Sequence, residues 1–238
     1  MNSIAEKLVK IAENESKVYE AGKKAEHDAF SDALLNYGNR DTYNYAFAYW
    51  GKFEYIRLKH KIAPTNAGGC YAMFLQNKGI RKIEAEYFDF SQKPRGTNSS
   101  TTYGYTFNSC SNLEEIEDIG LIPEYDYNNT FGYCSKLHTI ARMGVDANTK
   151  YSNTFVGCGE LVHLTIVGTI GQNGFGIQWC TKLSADSLKS IINALSTTTT
   201  GLTITLPTTA QSNYEAVYGA GSWATLVATR SNWTIAYA

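Results

Sequence analysis

Charge is the first thing this chain is short of. Of its 238 residues only 18% are Asp, Glu, Lys or Arg, where a soluble domain usually carries about a quarter. Thr, Ser, Asn, Gly and 17 tyrosines stand in their place. With a formal net charge of −1, nothing electrostatic points to nucleic acid or an anionic membrane as partner. Long apolar runs are missing as well. The opening MNSIAEKLVKIAENESK is mixed in charge and has no apolar centre, so it does not read as a secretion signal. No later segment is apolar enough to span a bilayer. The expectation is synthesis in the cytoplasm without a signal peptide and without membrane insertion. Cysteine is odd in number, five in all, which with no visible secretory route argues against a disulfide framework.

Motifs that carry chemistry are equally scarce. None of the histidines His27, His60, His138 and His163 has a Ser or Cys partner in a nucleophile motif, and G-x-S-x-G, P-loop and Rossmann glycine patterns are lacking. Glu114, Glu115, Glu117 and Asp118 cluster in one segment, but without the glycine-spaced loop that calcium needs. They read as a solvated strand face. The expectation is a chain that is not an enzyme and holds neither metal nor cofactor.

What the chain does have is a repeat. Phe107, Cys110, Leu113 and Ile116 recur at the same spacing as Phe131, Cys134, Leu137, Ile140, and again as Phe155, Cys158, Leu161, Leu164. Ile177, Cys180 and Leu183 keep three of the positions and run into a helical pattern. Upstream, Phe74, Asn77, Ile80, Ile83 has Asn in the cysteine slot, and Phe47, Trp50, Phe53, Ile56 has Trp there. The central copies add an aliphatic–glycine pair at Ile119-Gly120, Met143-Gly144 and Val167-Gly168, and SQKPRGTNSSTTYG inserts a polar loop between two copies. A unit of this length cannot bury its own apolar face, whereas stacked units share one core. The pattern therefore predicts a repeat solenoid of α/β type, with short strands stacked in a curved sheet. The cysteines lie too far apart in sequence for a zinc site built on close pairs. They read as small, nearly apolar corner residues, with Asn77 filling the same corner by bonding backbone along the stack.

These residues resemble the BspA-like (Treponema-type) leucine-rich repeats, whose units carry an aromatic-x2-Cys-x2-Leu-x2-Ile core. The tail LSADSLKSIINAL, the strand LTITLP and the closing NWTIAYA look like that family's ending. The N-terminal IAENESKVYEAGKKAEHDAF is similar to the leader helix of such proteins encoded in prophages of gut bacteria. The resemblance implies binding rather than catalysis: protein–protein contact, adhesion through a surface glycan, or a phage tail-associated role in host attachment. The alternative is a structural virion component without a ligand of its own.

The expected domains are an N-terminal helix over 1–38, the leucine-rich-repeat solenoid over 39–186, and a C-terminal cap over 187–238. In the first, Ile4, Leu8, Ile11, Val18, Ala25 and Ala29 follow a heptad stripe interrupted by Glu15 and Gly22. It reads either as a cap folded over the first repeat or as a short coiled coil that makes a homo-oligomer. In the last, Leu188, Ile191, Ile192 and Leu195 make an amphipathic helix with Ser184 as N-cap and Asp186 in its first turn. Leu202, Ile204 and Leu206 alternate as a strand, a helix follows near 222–230, and Trp233 to Tyr237 form a last strand.

One candidate binding site emerges. Tyr103, Tyr127 and Tyr151 each stand four residues before a repeat phenylalanine, as does Tyr43. Equal offsets stack into a stripe, which reads either as a packed aromatic ladder or as a recognition platform for sugar or protein. The strand faces pass from basic (Arg57, Lys59, Arg81, Lys82) to acidic and then neutral, which does not suit nucleic acid, a ligand of one charge sign.

The heptad stripe generates the first prediction. Removing residues 1–36 is expected to convert an oligomer into a monomer while the repeats stay folded. Light scattering that finds the full chain already monomeric would leave the cap reading in its place.

Overall fold

From each phenylalanine onward, every third side chain turns inward. Phe131, Cys134, Leu137 and Ile140 are buried, while Tyr133, Ser135, Lys136 and His138 between them are exposed. The spacing is neither the two of a strand nor the 3.6 of a helix, and it repeats at Phe107, Cys110, Leu113, Ile116 and at Phe155, Cys158, Leu161, Leu164. The structure is a computed structural model that describes residues 47–49, 70–85, 104–119 and 126–238. The leader helix, the inserted loop over 91–103, and Trp50, Phe53 and Ile56 of the first copy fall outside the described residues.

Four strands follow one another in chain order within one parallel sheet: β1 (Lys82–Ile83), β2 (Glu115–Ile116), β3 (Thr139–Val145) and β4 (His163–Gly168). Their register pairs the expected positions, Ile83 with Ile116, Ile116 with Ile140, and Ile140 with Leu164. Past that point the pairing departs from the sequence spacing. β3 carries one extra residue between Ile140 and Met143, so Met143 pairs with Ile166, not Val167, and Gly144 pairs with Val167. Such a bulge adds one residue to one strand and leaves the rest of the ladder intact. Sequence spacing places Val167 at the inward position; the shift gives that position to Ile166.

The phenylalanine segments build a second wall. Phe47, Phe74, Phe107, Phe131 and Phe155 form a column with successive ring centroids 5.2, 5.4, 6.0 and 5.4 Å apart. Backbone donors in this wall divide into two sets. Phe47, Phe74, Phe107 and Phe131 donate their N–H to the residue just before the next phenylalanine, at 2.8–3.1 Å. Tyr49, Gln76, Ser109 and Tyr133 donate to the residue just after it, at 2.6–2.8 Å. The alternate N–H groups turn back within their own repeat, as Gly132 does to Asn129 and Cys134 to Phe131. Every second donor thus points along the stack, and the buried backbone is satisfied.

This alternation requires left-handed backbone on both sides of each ring. Ala72 and Gln76, Tyr105 and Ser109, Asn129 and Tyr133, and Asn153 and Gly157 have φ between 51° and 74°. All but one are non-glycine, in a region that disfavours a Cβ by about 1–2 kcal/mol. The strain persists because the ladder and the buried column over-determine it.

The C-terminal elements close the stack. Ser184 caps helix α1 (Ala185–Ala194), its hydroxyl accepting from Ser187 N–H at 3.2 Å, and Leu188, Ile191 and Ile192 are buried, as the amphipathic pattern predicts. Strand β5 (Leu202–Leu206) takes the Ile177 N–H at Thr205 and pairs in parallel with β6 (Trp233–Tyr237). Between them lie α2 (Ala210–Tyr218) and α3 (Ser222–Ala228). Helix α3 answers the stretch expected near 222–230. Helix α2 has no counterpart in the sequence reading, because it buries only Ala210 and Tyr214 and shows no strong apolar stripe. Arg230 then fastens the cap by donating to the carbonyls of Asn193 and Leu195 at the end of α1.

Helix α1 also covers the side of β4 that faces away from β3. Leu164 N–H donates to Ser187 Oγ and Ile166 N–H to Ser190 Oγ, both at 2.8 Å. Ser187 Oγ in turn donates to the Val162 carbonyl at 3.0 Å. Two serine hydroxyls thereby stand in for a missing fifth strand. Ser187→Ala leaves the Leu164 N–H buried without a partner and is expected to destabilise by about 1–3 kcal/mol, read as a shifted urea midpoint with unchanged slope.

Candidate functional site

The cysteine slot proves to be a hydrogen-bonding position. Cys110 Sγ donates to the Phe74 carbonyl at 3.0 Å, Cys134 Sγ to Phe107 at 2.9 Å, and Cys158 Sγ to Phe131 at 3.0 Å. In each case the acceptor is the phenylalanine of the preceding repeat. Asn77 does the same with its amide, donating to the Phe47 carbonyl at 3.1 Å while its oxygen accepts from Gly79 and Ile80. The slot therefore takes a small side chain with a donor, which explains why Asn replaces Cys. Cys70, Cys110, Cys134, Cys158 and Cys180 are all buried and unbridged. Burial pushes the thiols of Cys110, Cys134 and Cys180 up, and that of Cys158 up to about 12. Thiols held protonated at neutral pH are neither nucleophiles nor ready metal ligands.

The tyrosine stripe is sealed. Tyr127 is 0% and Tyr151 7% exposed, their rings stacked at 6.4 Å and 8° inside the core. Tyr103 lies outside the described residues, as does Tyr43. In the second copy the same offset is filled by Cys70, also buried. Position four before the phenylalanine is thus a core position, because the inward turn that precedes the ring carries it to the inside. The platform reading of the stripe is corrected accordingly: neither Tyr127 nor Tyr151 offers a surface to a ligand. Their hydroxyls differ. Tyr127 Oη donates to the Gly144 carbonyl at 2.9 Å, while Tyr151 Oη is buried without a hydrogen bond of good geometry, Thr149 being the polar side chain near it. Gly168, the equivalent of Gly144 by sequence spacing, pairs with Val145 instead of Gly144.

The carboxylate cluster is neutralised along the stack. Glu114 pairs with Arg81 at 3.2 Å, Glu117 with Lys82 at 2.7 Å and Asp118 with Arg142 at 2.8 Å. The hydrogen bond from Lys82 holds the Glu117 carboxyl below its usual range. The change of sign along the strand faces is thus matched from one repeat to the next rather than turned to a partner. His138 and His163 are exposed, as their positions between buried aliphatics predict. Among the described residues no three His, Cys, Asp or Glu side chains are placed to hold a metal ion.

A different row faces water. Two residues after each repeat phenylalanine stand Tyr49, Gln76, Ser109, Tyr133 and Gly157, with Trp179 at the same offset from Ile177. Tyr49 is 65%, Tyr133 58% and Trp179 43% exposed. Sequence reasoning passed over this row, although the recurrence of an aromatic at a fixed offset was readable. At Tyr49 and Tyr133 the outward aim goes with a left-handed backbone, which residue identity does not announce.

Comparison with known protein families, with curated proteins and with solved structures found no match.

The two buried tyrosines give an asymmetric pair of variants. Tyr127→Phe removes the bond to Gly144 and is expected to cost about 1 kcal/mol. Tyr151→Phe removes a buried hydroxyl without a hydrogen bond of good geometry and is expected to be neutral or stabilising. Denaturation midpoints of the two variants, measured side by side, check the difference.

Proposed function

We propose that the chain is a repeat solenoid of the BspA-like leucine-rich-repeat kind and serves as a non-enzymatic binding module. Its partner is a protein or a cell-surface glycan, in the setting of a phage tail-associated or host-attachment protein. Parallel strands in chain order, stacked at repeat-equivalent positions, support the architecture. The observation that carries the function is the distribution of side chains. Within the described repeats the thiols and the two stripe tyrosines are buried, and the strand-face carboxylates pair with cations of neighbouring repeats. The outward row of aromatics is left as the surface suited to contact. A large aromatic in water gives broad, rigid contact area with a polar tip, which is the economy of a recognition surface. Oligomerisation through residues 1–38 belongs to the same reading, since several copies joined at one end multiply a weak contact by avidity.

The test is attachment. Fluorescently labelled full-length chain is expected to be retained saturably on the surface of a susceptible bacterial cell, and an excess of unlabelled chain is expected to displace it. A chain that is retained by no cell, protein or glycan surface would end the binding-module reading.

A further inference from the structure

We infer that the turn Asn173-Gly174 is a self-modification site, at which the folded chain deamidates its own asparagine through a cyclic succinimide. The inference stands apart from the binding-module reading.

The first support is the turn itself. Asn173-Gly174 is the only Asn-Gly step in the chain. A glycine leaves its own backbone nitrogen unshielded, so that nitrogen can approach the side-chain carbonyl carbon of the residue before it. The glycine is also required here. Its φ is 91°, and a Cβ added to it would stand 2.7 Å from the Tyr151 carbonyl oxygen.

The second support is the arrangement of the three groups that react. Asn173 and Gly174 are both exposed. The Gly174 N–H, which would attack, donates to none of the described residues. The Asn173 side-chain NH2, which would leave, also donates to none of them. The remaining group is held: Asn173 Oδ1 accepts the Thr203 N–H at 2.8 Å. Attack on Cγ puts negative charge on that oxygen, and a fixed backbone donor aimed at a developing oxyanion favours the step.

Asn108-Ser109 has the opposite arrangement. Asn108 is buried, and its amide donates to the Asn129 carbonyl at 3.2 Å. Ser109 N–H donates to the Gly132 carbonyl at 2.7 Å. Both the leaving group and the nucleophile are tied there, so this step serves as an internal control.

The chemistry needs only water. The Gly174 nitrogen bonds to Asn173 Cγ and gives up its proton, the Cγ–Nδ2 bond breaks, and ammonia leaves. Water then opens the succinimide at either carbonyl, giving aspartate or isoaspartate. Isoaspartate lengthens the main chain by a methylene group beside the Tyr151 carbonyl, where even a Cβ does not fit. The damage falls where Asn173 ties the last repeat to the start of β5.

The experiment incubates the full chain in mildly alkaline buffer, folded and, in parallel, unfolded in guanidinium chloride. Peptide mass spectrometry follows the exchange of amide for acid at each asparagine, and an isoaspartate assay identifies the product. Asn173 is expected to convert at least as fast in the folded chain as in the unfolded one, while Asn108 stays intact in the folded chain. Asn173→Gln, which would have to close a larger ring, is expected to remain unmodified at that position. Slower conversion of Asn173 in the folded chain than in the unfolded one overturns the inference, because the fold would then protect the turn. Conversion of Asn173→Gln at the parent's rate overturns the succinimide route. The isoaspartyl chain is expected to unfold at a lower urea midpoint than the parent, with Asn173→Asp as the control that carries the charge alone. Equal midpoints would overturn the loosening of the cap.

Discussion

Each repeat gives half of the backbone donors on its phenylalanine side to the next repeat and keeps the other half. The rest of the fold depends on that division. Donors aimed along the stack hold neighbouring repeats at strand spacing, and this spacing is what lets the rings from Phe47 to Phe155 form a column. Donors kept at home fold the segment into successive turns, and the turns impose left-handed backbone at two places in every unit. The side-chain donor of Cys110, Cys134 and Cys158, or of Asn77, then reaches the phenylalanine carbonyl of the unit before. A sulfur in that position completes backbone bonding at the corner. The cysteines recur because the corner recurs.

The same geometry separates inside from outside with little regard for polarity of name. Tyrosine four residues before the ring goes into the core, whereas tyrosine two residues after it goes to water, and both offsets repeat. On the strand side, charge is arranged laterally: Arg81, Lys82 and Arg142 meet carboxylates of adjacent repeats. Exposed pairs of this sort stabilise only slightly each, but they leave the strand face with little net charge to attract a highly charged ligand. The side of the stack that carries Tyr133 and Trp179 remains as the chemically distinctive surface.

Much of this was legible in the sequence. The Phe, Cys, Leu and Ile offsets announced which residues are buried and which pair across the sheet, and Ser184 announced the start of α1. Other features were not. The extra residue in β3 leaves no mark because Ile166 and Val167 suit the inward position equally well by type. Helix α2 escapes an amphipathic search because two side chains suffice to seat it. The tyrosine stripe stayed open between packed ladder and recognition platform because equal offsets reveal stacking but not which way the stack faces. Cys70 held the missing signal, since a cysteine in the tyrosine slot marks a place that water does not reach. The outward row stayed hidden for the opposite reason: left-handed backbone is a property of the ladder, and tyrosine is among the residues least expected to adopt it.

The serines of α1 carry a further consequence. Along a helix, Ser187 and Ser190 are spaced by about 4.5 Å of rise, while Leu164 and Ile166 are about 6.6 Å apart along a strand. Rotatable hydroxyls absorb the mismatch and bond both amides. A sheet made of identical units has no intrinsic reason to stop, and an open parallel edge would recruit whatever strand came next. By offering hydroxyls in place of a backbone, α1 acts as a chain terminator on that wall. Growth of the sheet past β4 is therefore stopped by a helix of the same chain.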